Sequence, residues 1–308
     1  MTLEELDSYC DQILVSEDPI DITNKFNTLL TNYKIMSFEF KRGSTFWRSR
    51  RIETDEIFKN VDELRYPPKD LARRGRMNDE NNPVFYIATR KETALAEINI
   101  KEGEFVQVAG FRIISGKKIL ITTIGQFWYV VKTGSLQLIG QEREASISIS
   151  RYLNSLHSEK ALMLIYIDRF LANVLASAEA EDNRYLHTRL LSKILFSKSK
   201  SDAIAYPSIK DEGGFNLAVK VATSDSSFEN VSCSVLEVTK KLRYGIYINT
   251  TLYRAIDLNA LGDFIWSEAK DLTDGFYYIF YNLTDKEEEV LNSSHNPNSQ
   301  FHDLHSIK

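Results

Sequence analysis

Two blocks of strand-like sequence are separated by a helical block, and that order restricts the fold more than any other feature of the chain. Upstream, Ser37 to Arg51 carries the aromatics Phe38, Phe40 and Phe46, and Val84 to Ala88 is a short apolar run. Phe105 to Ile113 and Lys118 to Thr122 alternate with the two-residue period of a strand. Residues 145 to 156, 160 to 178 and 184 to 197 change to the spacing of three and four that marks a helix face. Strand pattern returns at Ala203 to Tyr206, Phe215 to Ala222 and Val231 to Thr239. Strands grouped around a helical middle predict an α+β fold, a mixed β core with inserted and flanking helices, rather than an alternating βαβ chain.

The same reading divides the chain. Residues 1 to 36 predict a helical extension of two helices, over 3 to 15 and 22 to 33, with Asp21 or Thr23 as cap of the second. The main domain runs from 37 to 245. Residues 246 to 281, rich in tyrosine and isoleucine, predict an appendage packed on it. Residues 282 to 308 are too poor in apolar side chains to order themselves.

Composition removes several function classes. The first fourteen residues, MTLEELDSYCDQIL, are acidic where a secretion signal needs a basic start. Asp168 and Arg169 interrupt the longest apolar run, against a membrane span. Two cysteines, Cys10 and Cys233, are too few for a disulfide framework or a zinc site, which predicts a reducing cytoplasm. Three of the five histidines fall in the polar tail, and no metal site is expected. There is no Gly-rich dinucleotide loop, no Walker A, no zinc-hydrolase motif and no nucleophile elbow. Chemistry must then run on carboxylates, arginines, tyrosines and hydroxyls.

Charge is segregated. Residues 1 to 36 hold seven acids and two lysines, and residues 41 to 76 hold eleven basic and six acidic residues. Nucleic-acid binding needs a broader basic surface than this. A local arginine cluster suits a small phosphorylated ligand, because the guanidinium fork matches phosphate oxygens. The juxtaposition also raises an alternative for the first 36 residues. They either pack on the domain as plain structure, or fold over segment 41 to 76 as a gate through the apolar faces around Leu6, Ile13, Phe26 and Leu29.

Four segments carry the remaining signal: FWRSRR at 46 to 51, RRGRMNDENNPV at 73 to 84, FYIATRKETALAEI at 85 to 98, and DAIAYPSIKDEGGFNLAV at 202 to 219. The order is an aromatic then Arg, Gly-Arg-x-Asn, Tyr-x-Ala with Thr-Ala-x-x-Glu, and Tyr-Pro-Ser followed by Asn-Leu-Ala. In that order, over roughly residues 37 to 240, the chain resembles the RES domain family, named for its Arg, Glu and Ser. The resemblance implies an ADP-ribosyltransferase-like fold and an NAD-destroying activity, in several members as the toxin of a bacterial toxin–antitoxin pair. Carried over by position, the family residues are Arg48 (with Arg50 as the alternative), Arg76, Tyr86, Glu97 and Ser208. The longer gap between the two arginines, the helical block before Ser208 and the extensions at both ends depart from the compact members.

The chemistry implied by the resemblance suits these residue types. Breaking the nicotinamide–ribose bond of NAD leaves an oxocarbenium-like sugar, and nicotinamide departs as a neutral pyridine that needs no acid. One carboxylate is then enough, where ordinary glycoside hydrolysis uses two. Glu97 is expected to hold the ribose hydroxyls, Arg48 and Arg76 the diphosphate, Tyr86 the nicotinamide or a hydroxyl, and Ser208 the ribose or phosphate. Each has a plain alternative as a solvated charge, an ion-pair partner, a core ring or a turn cap. Arg42, Arg51, Arg73 and Arg74 are read as solvated neighbours, and Asn78 and Asn216 as loop-fixing residues. No cofactor is expected beyond NAD as substrate, with inorganic phosphate as a candidate co-substrate. The implied protein partner is an antitoxin with a helix-turn-helix domain, and a homo-oligomer is left open. An ADP-ribosyltransferase acting on a protein or nucleic-acid target is the alternative activity.

Overall fold

A computed structural model describes residues 1–43, 45–53, 56–136, 138, 143–181 and 185–268. Ten strands form one mixed sheet: β1 (Met36–Phe40), β2 (Phe46–Ile52), β3 (Val84–Ala88), β4 (Phe105–Ile113), β5 (Ile119–Thr123), β6 (Ala203–Pro207), β7 (Phe215–Lys220), β8 (Phe228–Lys241), β9 (Tyr247–Leu258) and β10 (Phe264–Glu268). Their order is β1-β5-β6-β7-β3-β2-β4-β8-β9-β10. Only β5 and β6 run parallel, and the long helical block provides the crossover that a parallel pair needs. The fold is α+β, as the grouping of strand and helix pattern predicts.

The sheet divides between β3 and β2. Those neighbours share a single residue pair, Trp47 with Ala88, whereas β2 and β4 pair along seven residues from Phe46↔Phe111 to Ile52↔Phe105. The two halves pack on each other through Phe85, Leu217 and Val219 on one side and Phe46, Phe111 and Phe228 on the other. Phe85 meets Phe111 edge-on at 5.0 Å between centroids, the geometry that ring quadrupoles favour.

The helices are α1 (Leu3–Val15), α2 (Pro19–Thr31), α3 (Lys91–Glu97), α4 (Gln126–Thr133), α5 (Arg143–Ser155), α6 (Ser158–Leu175), α7 (Leu186–Ser199) and α8 (Val221–Ser227). A capping box between Thr2 and Glu5 starts α1, and Asp18 caps α2 with Pro19 in its first turn. The cap of α2 is therefore Asp18, not Asp21 or Thr23, because the proline sets the start of the helix earlier. Leu6, Ile13, Phe26 and Leu29 are fully buried, in one cluster with Ile167, Leu171 and Leu195 of the helical block. α1 contacts α6 and α2 contacts α7. The apolar faces invoked for a gate over residues 41 to 76 are thus spent inside the core, and burial of this size, about 1.5–3 kcal/mol per large side chain, outweighs screened charge attraction.

Asp168 ties these layers together. Its Oδ1 accepts from the Tyr33 hydroxyl at 2.6 Å and from the Gly125 amide at 2.9 Å, and its Oδ2 accepts from the Trp128 amide at 3.0 Å. The carboxylate caps the otherwise unpaired amides at the start of α4 from another helix.

Three boundaries differ from the sequence pattern. Ser37 to Arg51 is two strands, β1 at one sheet edge and β2 at the centre, because Lys41, Arg42 and Gly43 offer no apolar face to continue a ladder. β7 stops at Lys220, and Val221–Ser227 turns helical. β9 and β10 extend the sheet by main-chain pairing, so the described part of residues 246 to 281 is sheet. Residues 269 to 281 and the tail, 282 to 308, lie outside the described residues. Among the described residues no helix is long and apolar enough to cross a membrane.

Candidate active site

The candidate side chains gather on and beside β3, where its pairing with β2 is reduced to one residue pair. With only one residue pair joining these strands, carbonyls that would serve a ladder need other donors. Arg48 of β2 supplies one, donating from Nη1 to the Tyr86 carbonyl at 2.6 Å, with its guanidinium 5.9 Å over the Phe85 ring. Its Nε is enclosed and, among the described residues, has no hydrogen-bond partner. Burial, with Arg50 close by, pushes the Arg48 pKa down to about 9, so it keeps its charge at neutral pH but is poorly compensated. Arg50, two residues on and on the same face, lies 5.3 Å over the Phe58 ring.

Glu97 ends α3, a short helix whose Thr93, Ala94, Leu95 and Ala96 are all buried. Its Oε1 accepts two hydrogen bonds, from Ser208 Oγ at 2.6 Å and from Asn216 Nδ2 at 2.6 Å. Among the described residues its Oε2 has no partner. Ser208 is itself fully engaged: its proton goes to Glu97, and its oxygen accepts from the Lys210 and Asp211 amides, each at 3.2 Å. The carboxylate is therefore gripped by one oxygen, with the other unpaired among the described residues.

The turn after Ser208 explains the neighbouring residue types. Thr93 Oγ1 and Arg90 Nη2 both donate to Asp211 Oδ2, the latter at 2.7 Å. A Cβ on Gly214 would meet that same Oδ2 at 2.5 Å, so the contact between α3 and this turn needs glycine. The Ser208 amide donates to the Gly214 carbonyl at 2.8 Å, which closes the turn. The Thr-Ala-x-x-Glu and Ser-x-x-x-x-Gly-Gly segments form one hydrogen-bonded unit that aims Glu97.

Gly75 to Asn78 and Tyr86 form a second unit. The Tyr86 hydroxyl accepts from the Met77 amide at 2.8 Å and donates to Asn78 Oδ1 at 2.8 Å. Asn78 Nδ2 in turn donates to the carbonyls of Arg73 and Asp79. A Cβ on Gly75 would lie 2.7 Å from Asn78 Oδ1 and 3.2 Å from the Tyr86 hydroxyl. The Tyr86 hydroxyl is thus engaged in holding the turn, and burial pushes its phenol pKa well up. Arg76, on that turn, donates from Nη1 to the carbonyls of Leu175 at 2.9 Å and Ser177 at 2.8 Å, and lies 5.5 Å over the Tyr185 ring. It neutralises the carbonyl-rich end of α6 and couples the helical block to the cleft.

The fold brings the candidates into one neighbourhood. The charges of Arg76 and Arg48 both reach the Tyr86 hydroxyl and pull against its burial. Glu97, Ser208 and Asn216 are bonded directly. The loop-fixing role read for Asn216 from sequence is corrected: it sits on β7, between Ala88 of β3 and Tyr206 of β6, and its amide holds Glu97. Its place in the Asn-Leu-Ala motif was the only sequence signal for it. Asn78 does fix its loop. Arg51, read as a solvated neighbour, pairs with Glu104 at 3.0 Å on the surface.

A search for similar curated proteins and solved structures gives no match. The family model described as the RES domain matches residues 45–239, more than half of the chain and the whole span from Arg48 to Asn216. With the match covering every segment that builds the cleft, the chain belongs to the RES domain family, whose fold is ADP-ribosyltransferase-like and which is associated with enzymes that act on NAD.

Proposed function

We propose that this protein breaks the nicotinamide–ribose bond of NAD and transfers the ADP-ribosyl group to water or inorganic phosphate. The observation that carries this reading is the one-sided grip on Glu97, whose Oε1 is held by Ser208 and Asn216 while Oε2 has no donor among the described residues. A carboxylate held this way can take a ribose hydroxyl and sit beside positive charge as it develops on the sugar, without reorganising at the moment of reaction. In the step itself, the electron pair of the bond between the ribose anomeric carbon and the pyridine nitrogen leaves with nicotinamide. The anomeric carbon then bonds an oxygen of water, which loses a proton, or of phosphate. Ser208 and Asn216 position Glu97 and take no part in bond making.

Arg48 is the anion-binding group in this reading. Its guanidinium is half-buried with a lowered pKa, and Nη2, which is not enclosed and has no partner among the described residues, gains from a phosphate oxygen within reach. Arg76 is anchored on α6 and contributes its field together with the placement of the Gly75–Asn78 turn.

The test is incubation of the purified chain with NAD, with and without phosphate, followed by product mass. ADP-ribose identifies a glycohydrolase and ADP-ribose-1″-phosphate a phosphorylase. ADP-ribose attached to a macromolecule identifies a transferase and replaces this reading. Unchanged NAD under all conditions refutes it.

A further inference from the structure

One hydroxyl beside the candidate site, on a buried side chain, makes no hydrogen bond among the described residues. Tyr206 closes the run of buried residues Ala203 to Tyr206 on β6 and is only 5% exposed. Its register partner on β7 is Asn216, so its ring rises from the same face as the amide that holds Glu97. Its electrostatic neighbours are Tyr86, Glu97, Arg76 and Tyr185. Among the described residues none of them, nor any other group, hydrogen-bonds to it.

Tyr86, two strands away on the same face, shows what the fold does with a tyrosine that it uses internally: both the donor and the acceptor of its hydroxyl are occupied. A hydroxyl that the protein leaves unpartnered on an otherwise buried side chain is satisfied only by what enters through its opening, water or ligand. The Tyr206 oxygen is also not among the unpartnered polar atoms that are fully enclosed, so it keeps an opening. Glu97 and Arg76 both lie close enough to act on that hydroxyl, which puts it among the candidate site residues.

We infer that the Tyr206 hydroxyl is a substrate-reading group, which hydrogen-bonds the ribosyl–nicotinamide half of NAD beside Glu97. The inference rests on the NAD reading of the cleft given above. Burial pushes the phenol pKa well above its ordinary value, so Tyr206 stays neutral. It can donate to a ribose hydroxyl or to the carboxamide oxygen without adding charge next to the reacting carbon. The hydroxyl is then free to exchange water for a substrate group without breaking a bond inside the protein.

Tyr206→Phe in the full chain tests this, because phenylalanine fills the same space and removes only the oxygen. The free variant is expected to melt at or above the wild-type temperature. Its kcat/KM for NAD is expected to fall about three- to tenfold, the worth of one neutral hydrogen bond, and its NAD-induced rise in melting temperature to shrink. Wild-type kcat/KM in a folded variant overturns the inference and leaves the NAD reading standing. A lowered melting temperature of the free variant assigns the hydroxyl to packing and also overturns it. A wild-type chain that neither consumes NAD nor is stabilised by it overturns both readings together.

Discussion

Glu97→Gln separates charge from geometry. The side-chain carbonyl of glutamine can still accept from Ser208 Oγ and Asn216 Nδ2, the two donors that hold Oε1 at 2.6 Å, so the grip survives. What changes is the free end, where a carboxylate oxygen becomes an amide donor with no charge. Two charge-assisted hydrogen bonds become neutral ones, a loss of about 1 kcal/mol each, offset in part because a neutral group is cheaper to bury. For a chain of this size each kcal/mol lowers Tm by about 2–4 °C, so the variant stays folded at 25 °C. The effect on the reaction is larger. Removing one preorganised group aimed at transition-state charge costs about 10²–10³ in rate, or about 2.7–4 kcal/mol. Because that interaction strengthens only as the sugar becomes cationic, kcat and kcat/KM should fall together. The assay is NAD consumption with a parallel melting curve. Asn216→Ala is the companion: it keeps the charge and removes one of the two donors, and should lose about 10–100-fold, less than Glu97→Gln. Full NAD turnover by folded Glu97→Gln protein refutes the single-carboxylate mechanism. A larger loss in Asn216→Ala than in Glu97→Gln would place the essential group elsewhere.

Three further outcomes are expected. Arg48→Lys should raise KM for NAD about tenfold with little change in kcat, since a point charge lacks the fork and the diphosphate is the same in ground and transition states; a wild-type KM excludes Arg48 as the anion clamp. Gly214→Ala forces a Cβ onto Asp211 Oδ2 and should destabilise by about 1–3 kcal/mol, read as a lowered urea midpoint, with NAD turnover falling as Ser208 shifts; an unchanged midpoint refutes the close-contact argument. Asp168 gives a pH signature. Burial raises its folded pKa above the ordinary 3.8, so the stability it contributes is fully present below that value and is lost as pH rises through the folded pKa. Asp168→Asn, which cannot titrate and turns an amide toward the Trp128 N–H, should be less stable throughout. The wild-type advantage should shrink with rising pH by at most about 1.4 kcal/mol per unit; paired unfolding curves that diverge as pH rises would contradict the sign.

The sequence by itself determined the α+β class, most strand and helix positions, and the candidates Glu97 and Ser208, because those rest on local periodicity and on motif order. The quoted motifs also contain the glycines of the two turns, although not what they avoid. The tertiary structure decided which side chains are free. Tyr86 and Arg76 look like ligand groups in sequence, yet the Tyr86 hydroxyl and Arg76 Nη1 are bound within the protein, to Met77 and Asn78 and to the end of α6. The first two helices carry acidic charge next to a basic segment, yet their apolar faces go into the helical core. Asn216 and Tyr206 acquire their roles only through pairing. Asn216 lies 119 residues from the glutamate that it holds, and both side chains reach the cleft because Ala88, Asn216 and Tyr206 share one register across β3, β7 and β6. A slip of one residue in that pairing would turn the amide to the opposite face of the sheet. Register depends on the whole buried pattern of three strands from distant parts of the chain, which no local stretch of sequence contains.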